Sequence, residues 1–190
     1  CLLIVDESFI DFVDDPEQST VEHEITEHEN LVILKSMSKV YGICGLRLGY
    51  VLTANQGFAT AVRNEVPIWN INGFAETFLR LLPHYELEFI ESCQMVRCDR
   101  DDLYLSLTSI PGMTAYKPDA NFVFCRLPDD AMSGPEIARR LFIEYNISIK
   151  HCAGKPLLEA DRYLRIASRT MPENHRLVEA LQSMLARKEL

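Results

Sequence analysis

The 190-residue sequence has a single tryptophan, a shortage of basic residues and no long apolar run. Lysine and arginine number 19 against 28 aspartates and glutamates, a formal net charge of -9. That balance argues against nucleic acid as a partner, because phosphate backbones select clustered cations. No apolar stretch approaches the roughly 20 residues that cross a bilayer, so no membrane partner is expected. No cysteines are spaced as C-x-x-C, and no histidine completes a zinc spacing around the six at positions 1, 44, 93, 98, 125 and 152. His23 and His28 are not spaced as two ligands on one helix face, so no metal is expected. Reduced thiols in a cytoplasmic protein are the expectation. Cys1, Cys44, Cys93 and Cys125 lie in apolar or mixed stretches and are expected to act as small buried hydrophobes. No leader segment is visible, and the chain is expected to begin inside a strand.

What is present suits a packed, soluble α/β chain of one domain or one and a half: 47% hydrophobic and 25% charged residues. Leu2–Val5 and Leu31–Leu34 are short continuous apolar runs, the pattern of parallel strands covered on both faces. The acidic stretch between them is long enough for a crossover and reads as a solvated face. Arg47 to Leu52 predicts a third strand, and residues 56–65 a short helix. A helical pattern runs from about Phe74 to Ser109, broken at Pro83. Its second piece carries Phe89, Val96, Leu103 and Leu107 on one face and stops at Pro111-Gly112. Strands are predicted at 113–116, 121–127, 147–151 and 163–167, with a helix at about 135–145. Thr170-Met171-Pro172-Glu173 is a capping box opening a last helix to about Arg187. Two domains are expected, 1–85 and 86–190.

An open α/β sheet offers its ligand site at the carboxyl ends of its strands. Asp6 ends the first apolar run, Ser36, Ser38 and Lys39 follow the second, and Arg47 opens the third. Each has a plainer reading alone: a turn aspartate, loop serines, a surface lysine, an arginine in a structural ion pair. Together they suit a phosphorylated carbonyl cofactor. Lysine can form a Schiff base, the arginine fork and a serine hydroxyl can hold a phosphate, and aspartate can pair with a ring nitrogen.

The stretches "VDESFIDF" and "SMSKVYGICGLRLGY" resemble the fold-type I, pyridoxal-phosphate-dependent class I/II aminotransferases. The nearest branch looks like histidinol-phosphate aminotransferase and threonine-phosphate decarboxylase. The resemblance implies the end of an aspartate aminotransferase-like large-domain sheet followed by a small α/β domain. It implies pyridoxal 5'-phosphate as cofactor, Lys39 as the lysine that holds it, and Asp6 on the pyridine nitrogen. Ser36 and Arg47 would bind its phosphate, with Ser38 a further contact. "DANFVFCRL" and "YLRIASRTMPENHRLVEAL" resemble the small domain, which implies Arg165 on the substrate carboxylate. Lys150 stands where relatives often place a phosphate-binding arginine. Phe9 replaces a tyrosine common in aminotransferases, as the decarboxylase branch also tends to do. The family's N-terminal half lies outside this sequence.

The resemblance implies a homodimer and a chain that is part of a larger polypeptide, with a fused nucleotidyltransferase domain among the partners. Transamination of an amino acid bearing phosphate or phosphonate is the leading expectation. Decarboxylation of a phospho-amino acid is the alternative, and a non-catalytic C-terminal module is the third. Plainer roles are expected for His151 and Arg169 on the surface, for Trp69 in the core or an interface, and for Asn72 and Asn121 at backbone ends.

Overall fold

Leu3–Asp6 (β1) and Leu31–Ser36 (β2) pair in parallel in the computed structural model, which describes residues 1–186. Gly49–Leu52 (β3) joins β2 on its other side, and runs antiparallel to it, with Ser36 opposite Gly49. The order β1-β2-β3 puts β2 in the centre, and its Leu31, Val32 and Ile33 are buried. The carboxyl ends of β1 and β2 and the start of β3 therefore lie at one end of the sheet. Arg47 comes before β3, not at its head, because it closes a turn of 3-10 helix at Cys44–Leu46 with a left-handed backbone. The expectation of strands covered on both faces fails for β1. Leu3 and Ile4, which point to opposite faces, are 56% and 55% exposed, so among the described residues neither face is covered there.

The acidic crossover holds one short α-helix, Pro16–Ser19 (α1), capped by the Asp15 side chain, between 3-10 turns at Ile10–Phe12 and Glu22–Glu24. It is fastened to the end of β1 by the buried Glu7, whose carboxylate accepts from Val21 N (2.8 Å) and Thr20 Oγ1 (2.7 Å). Met37–Val40 (α2) follows β2 directly. Gln56–Glu65 (α3) is capped by Asn55, and Gly73–Leu81 (α4) by Asn72. Met37, Leu48 and Ala75 form a small core under α2, filled out by Tyr41, Leu46 and Phe78. Tyr41 stacks on Phe89 at 4.4 Å between ring centroids. These residues belong to one compact unit, Cys1–Cys93. The boundary falls inside the long helix Glu86–Thr108 (α5).

The second unit begins at Gln94. Its sheet is antiparallel, ordered Thr114–Tyr116 (β4), Phe122–Arg126 (β5), Tyr163–Ala167 (β7), Lys150–His151 (β6). Strict alternation on β5 and β7 turns Val123, Cys125, Leu164 and Ile166 inward and Phe122, Phe124 and Arg165 outward. Leu103 and Leu107 of α5, Ile137 and Leu141 of Gly134–Tyr145 (α6) and Leu177 and Leu181 of Met171–Ala186 (α7) complete this core. The strand predicted from 147 shrinks to Lys150–His151. Asn146 ends α6 in the left-handed conformation and Ile147 N returns to Leu141 O, so residues 147–149 are spent on the helix cap. Glu173 accepts from both the N–H and the hydroxyl of Thr170, as a capping box does in part. Arg187, where α7 was expected to end, lies outside the described residues.

All six cysteines are free. Cys93 and Cys125 are buried as expected, and burial pushes the Cys125 thiol up to about 12. Cys1 and Cys44 are exposed instead, one ahead of β1 and the other on a one-turn surface helix. Among the described residues no helix is long and apolar enough to cross a membrane.

Candidate active site

In the first unit, parallel pairing of β1 with β2 brings Asp6 to the same sheet end as Ser36. Ser8 joins them. Its hydroxyl donates to Asp6 Oδ1 at 2.5 Å and its N–H donates to the same oxygen at 3.0 Å, while Ser36 N donates to Ser8 Oγ at 2.9 Å. The Ser8 hydroxyl, then its N–H, hold the Asp6 carboxyl below its ordinary value; burial opposes them and the Lys39 charge adds to the lowering. Asp6 and Lys39 thus share one electrostatic neighbourhood. The Lys39 ammonium stands 5.0 Å from the centroid of the Phe9 ring, a cation–π contact.

Ser38 sits between Met37 and Lys39 in the single turn of α2. Arg47 stands on the adjoining turn: Leu48 O accepts from Met37 N at 3.1 Å, and Arg47 itself donates from Nη1 to Cys44 O at 3.1 Å. Gly49 makes the approach possible, since a Cβ there would lie 2.9 Å from Lys35 O. Asn72 fixes the same turn from α4 by donating to Leu46 O at 3.2 Å, and so satisfies backbone as expected.

In the second unit, Arg165 and Lys150 are direct cross-strand partners on β7 and β6, so both project from the same face of the sheet. Both are exposed. The Arg165 guanidinium lies 3.9 Å from the centroid of the Phe122 ring, which fixes its plane. The expected residues thus fall into two groups, one in each unit: Asp6, Ser36, Ser38, Lys39 and Arg47, and Lys150 with Arg165.

Other expectations change. His151 is not a surface residue of the outer face. Its pairing with Leu164 turns it inward, and its buried Nδ1 has no hydrogen-bond partner among the described residues. Arg169 is exposed and paired with Glu173 at 3.0 Å. Trp69 is 92% exposed and enters no core. Sequence reasoning missed Ser8, although a serine two residues after a strand-end aspartate can return both its donors to that carboxylate.

The family model described as aminotransferase class I and II matches residues 1–181. The chain belongs to the class I and II aminotransferase family. Pyridoxal 5'-phosphate is the cofactor of that family. Among curated class I and II relatives, a CMP-5'-(3-aminopropyl)phosphonate synthase of Streptomyces rubellomurinus is 44% identical over 97% of this chain and 29% of its own length. An L-serine phosphate decarboxylase of Campylobacter jejuni is 32% identical over 94% of this chain and 46% of its own. The solved histidinol-phosphate aminotransferase of Clostridium acetobutylicum superposes with a TM-score of 0.89 at 28% identity, over 98% of this chain and 55% of that one. The chain therefore spans about half or less of the length of these relatives.

Proposed function

We propose that the protein is a pyridoxal-phosphate-dependent decarboxylase of an amino acid that carries a phosphate or phosphonate. The observation that carries the reading is the linked set of Asp6, Ser36 and Lys39 at one sheet end. Its donor chemistry fits the cofactor: a carboxylate held ionised suits a protonated ring nitrogen, Lys39 supplies the amine that holds the cofactor, and Ser36, Ser38 and Arg47 supply phosphate donors beside a backbone that Gly49 lets come close. When bound, pyridoxal phosphate supplies an electron sink for negative charge at the substrate Cα.

The chain's own residues do the rest. Asp6 accepts the hydrogen bond of the ring nitrogen and keeps its proton there. Arg165 grips the substrate carboxylate with a planar fork, and Lys150, its cross-strand neighbour, takes a second anion as a point charge. Which Cα bond breaks decides the reaction. If that bond leads to the carboxylate, carbon dioxide leaves and Lys39 returns a proton to Cα. If it leads to hydrogen, Lys39 removes that proton as a general base, and transamination follows.

Two observations favour decarboxylation. Relatives at 44% and 32% identity are named for an aminoalkyl phosphonate and for phosphoserine decarboxylation. An aminopropyl phosphonate is an amine without a carboxylate, the kind of product that decarboxylation of an α-amino acid leaves. Phe9 also puts an apolar ring, without a hydroxyl, against Lys39. Transamination is the second reading, favoured by the close superposition on the histidinol-phosphate aminotransferase. We extend the reading to the whole protein as a homodimer with a fused nucleotidyltransferase domain, which the CMP in the relative's name supports.

The test uses the full-length protein with pyridoxal phosphate and a 2-amino-phosphonoalkanoate. Carbon dioxide and the amine are expected, and a visible cofactor band that Lys39→Ala abolishes. Keto acid formed without carbon dioxide establishes transamination instead. A band indifferent to Lys39→Ala leaves the non-catalytic module.

A further inference from the structure

We propose that Ser8 is a positioning residue: its buried hydroxyl fixes the Asp6 carboxylate and couples it to the turn that bears Ser36 and Lys39. The inference rests on the reading of Asp6 as the partner of the cofactor's ring nitrogen.

Ser8 is 3% exposed, whereas Asp6 is open to solvent. A serine hydroxyl has one proton to give and lone pairs to accept with. Ser36 N–H occupies the accepting side at 2.9 Å, so the hydroxyl proton is directed to Asp6 Oδ1 at 2.5 Å. That is a charge-assisted bond, short as such bonds are. The Ser8 N–H goes to the same oxygen. Among the described residues Asp6 Oδ2 receives no hydrogen bond, so the carboxylate is held by one oxygen and presents the other. A free aspartate at a strand end would rotate among rotamers and would lose orientation on binding a ring. Here its rotamer is set in advance by a neighbour whose own hydroxyl is set by Ser36. The nitrogen end and the phosphate end of the proposed cofactor site are thereby connected through three residues: Asp6, Ser8 and Ser36.

A purely structural Ser8 would only satisfy the Ser36 N–H. The two roles separate by experiment on the full-length protein with Ser8→Ala and Asp6→Asn. In cofactor-free protein, the Asp6 carboxyl is followed by carbon NMR against pH. The wild type is expected to titrate below an ordinary aspartate, and Ser8→Ala to move it back toward that value. In parallel, the dissociation constant for pyridoxal phosphate is read from absorbance; Ser8→Ala is expected to weaken it about tenfold, the loss of one bond to a charged group. Asp6→Asn is expected to weaken it at least as much. A Ser8→Ala protein with wild-type Asp6 titration and wild-type affinity overturns the positioning role while leaving Asp6 in place. Should Ser8→Ala fail to fold, the wild-type titration alone decides: an ordinary value for Asp6 overturns the proposal. Wild-type affinity and spectrum in Asp6→Asn overturn the reading of Asp6, and this proposal with it.

Discussion

At Arg165 the guanidinium rests on Phe122 while Lys150 faces it from the next strand, so two cations are held side by side at an exposed sheet face. Two cations on one exposed sheet face suit the anionic substrate proposed for them, one as a planar fork and one as a point charge. Arg165→Ala is expected to raise KM for an anionic amino acid by roughly 10- to 100-fold, the worth of a charge-assisted hydrogen-bond pair. Arg165→Lys should recover only part of that loss, because an ammonium lacks the fork. Lys150→Ala should raise KM less than Arg165→Ala. Steady-state kinetics check this, and an unchanged KM in both alanine variants removes these residues from the substrate site. Gly49 makes a second residue-scale prediction. Its missing Cβ is what lets β3 approach Lys35 O, so Gly49→Ala should destabilise the protein by about 1–3 kcal/mol in urea melts.

The helices add to their packing a local chemistry that a sequence displays openly. On α6, Glu136 accepts from Arg139 Nε and Nη2 (2.9 and 2.8 Å) and from Arg140 Nε (2.8 Å), all within one turn. Hydrogen bonds from Arg139 and Arg140 pull its carboxyl down from 4.5 to about 2. A lowered folded-state pKa contributes stability above the unfolded value and loses it as pH falls. The melting-temperature difference between wild type and Glu136→Gln should therefore be constant above pH 4.5 and should vanish as pH falls through about 2. The three charges lie at the surface, so the difference should be small and should shrink with salt. At the start of α7, Thr170→Ala removes the hydroxyl that donates to the Glu173 carboxylate, an exposed bond, and should cost about 0.5–1 kcal/mol in urea melts.

At the scale of the whole molecule the two units have unequal cores. The second encloses one continuous cluster in which Leu103, Leu107, Val123, Ile137, Leu141, Leu164 and Leu181 are fully buried. The first has a buried central strand and the small group around Met37, Leu48 and Ala75, while Leu3, Ile4, Val51, Ile68 and Phe74 remain exposed. Burial of apolar area is the main source of local stability, so amide protection should follow it. Hydrogen exchange on this chain should protect β5 and β7 more strongly than β1 and β3. Equal protection would mean that the first unit is held by interactions other than those described here.

Short-range chemistry was legible in the sequence: a helix over residues 56–65, breaks at Pro83 and Pro111-Gly112, and a strand within residues 121–127. The places of Asp6, Ser36 and Lys39 beside strand ends were legible too, because apolar runs mark those ends, whereas the turn that carries Arg47 ahead of β3 was not. The antiparallel direction of β3 was not legible, since its four residues read alike in either sense and only pairing with β2 chooses. Nor was the inward turn of His151, which follows from which residue of β6 faces Leu164, or the exposure of Cys1 and Cys44. In the Asp6–Ser8–Ser36 chain the two Asp6–Ser8 bonds are local, but the Ser36–Ser8 bond joins residues 28 positions apart and exists only once β1 and β2 lie side by side. Local pattern determines what a segment is; which segments touch is decided by the packing of the whole, and only there was Ser8 tied to Ser36.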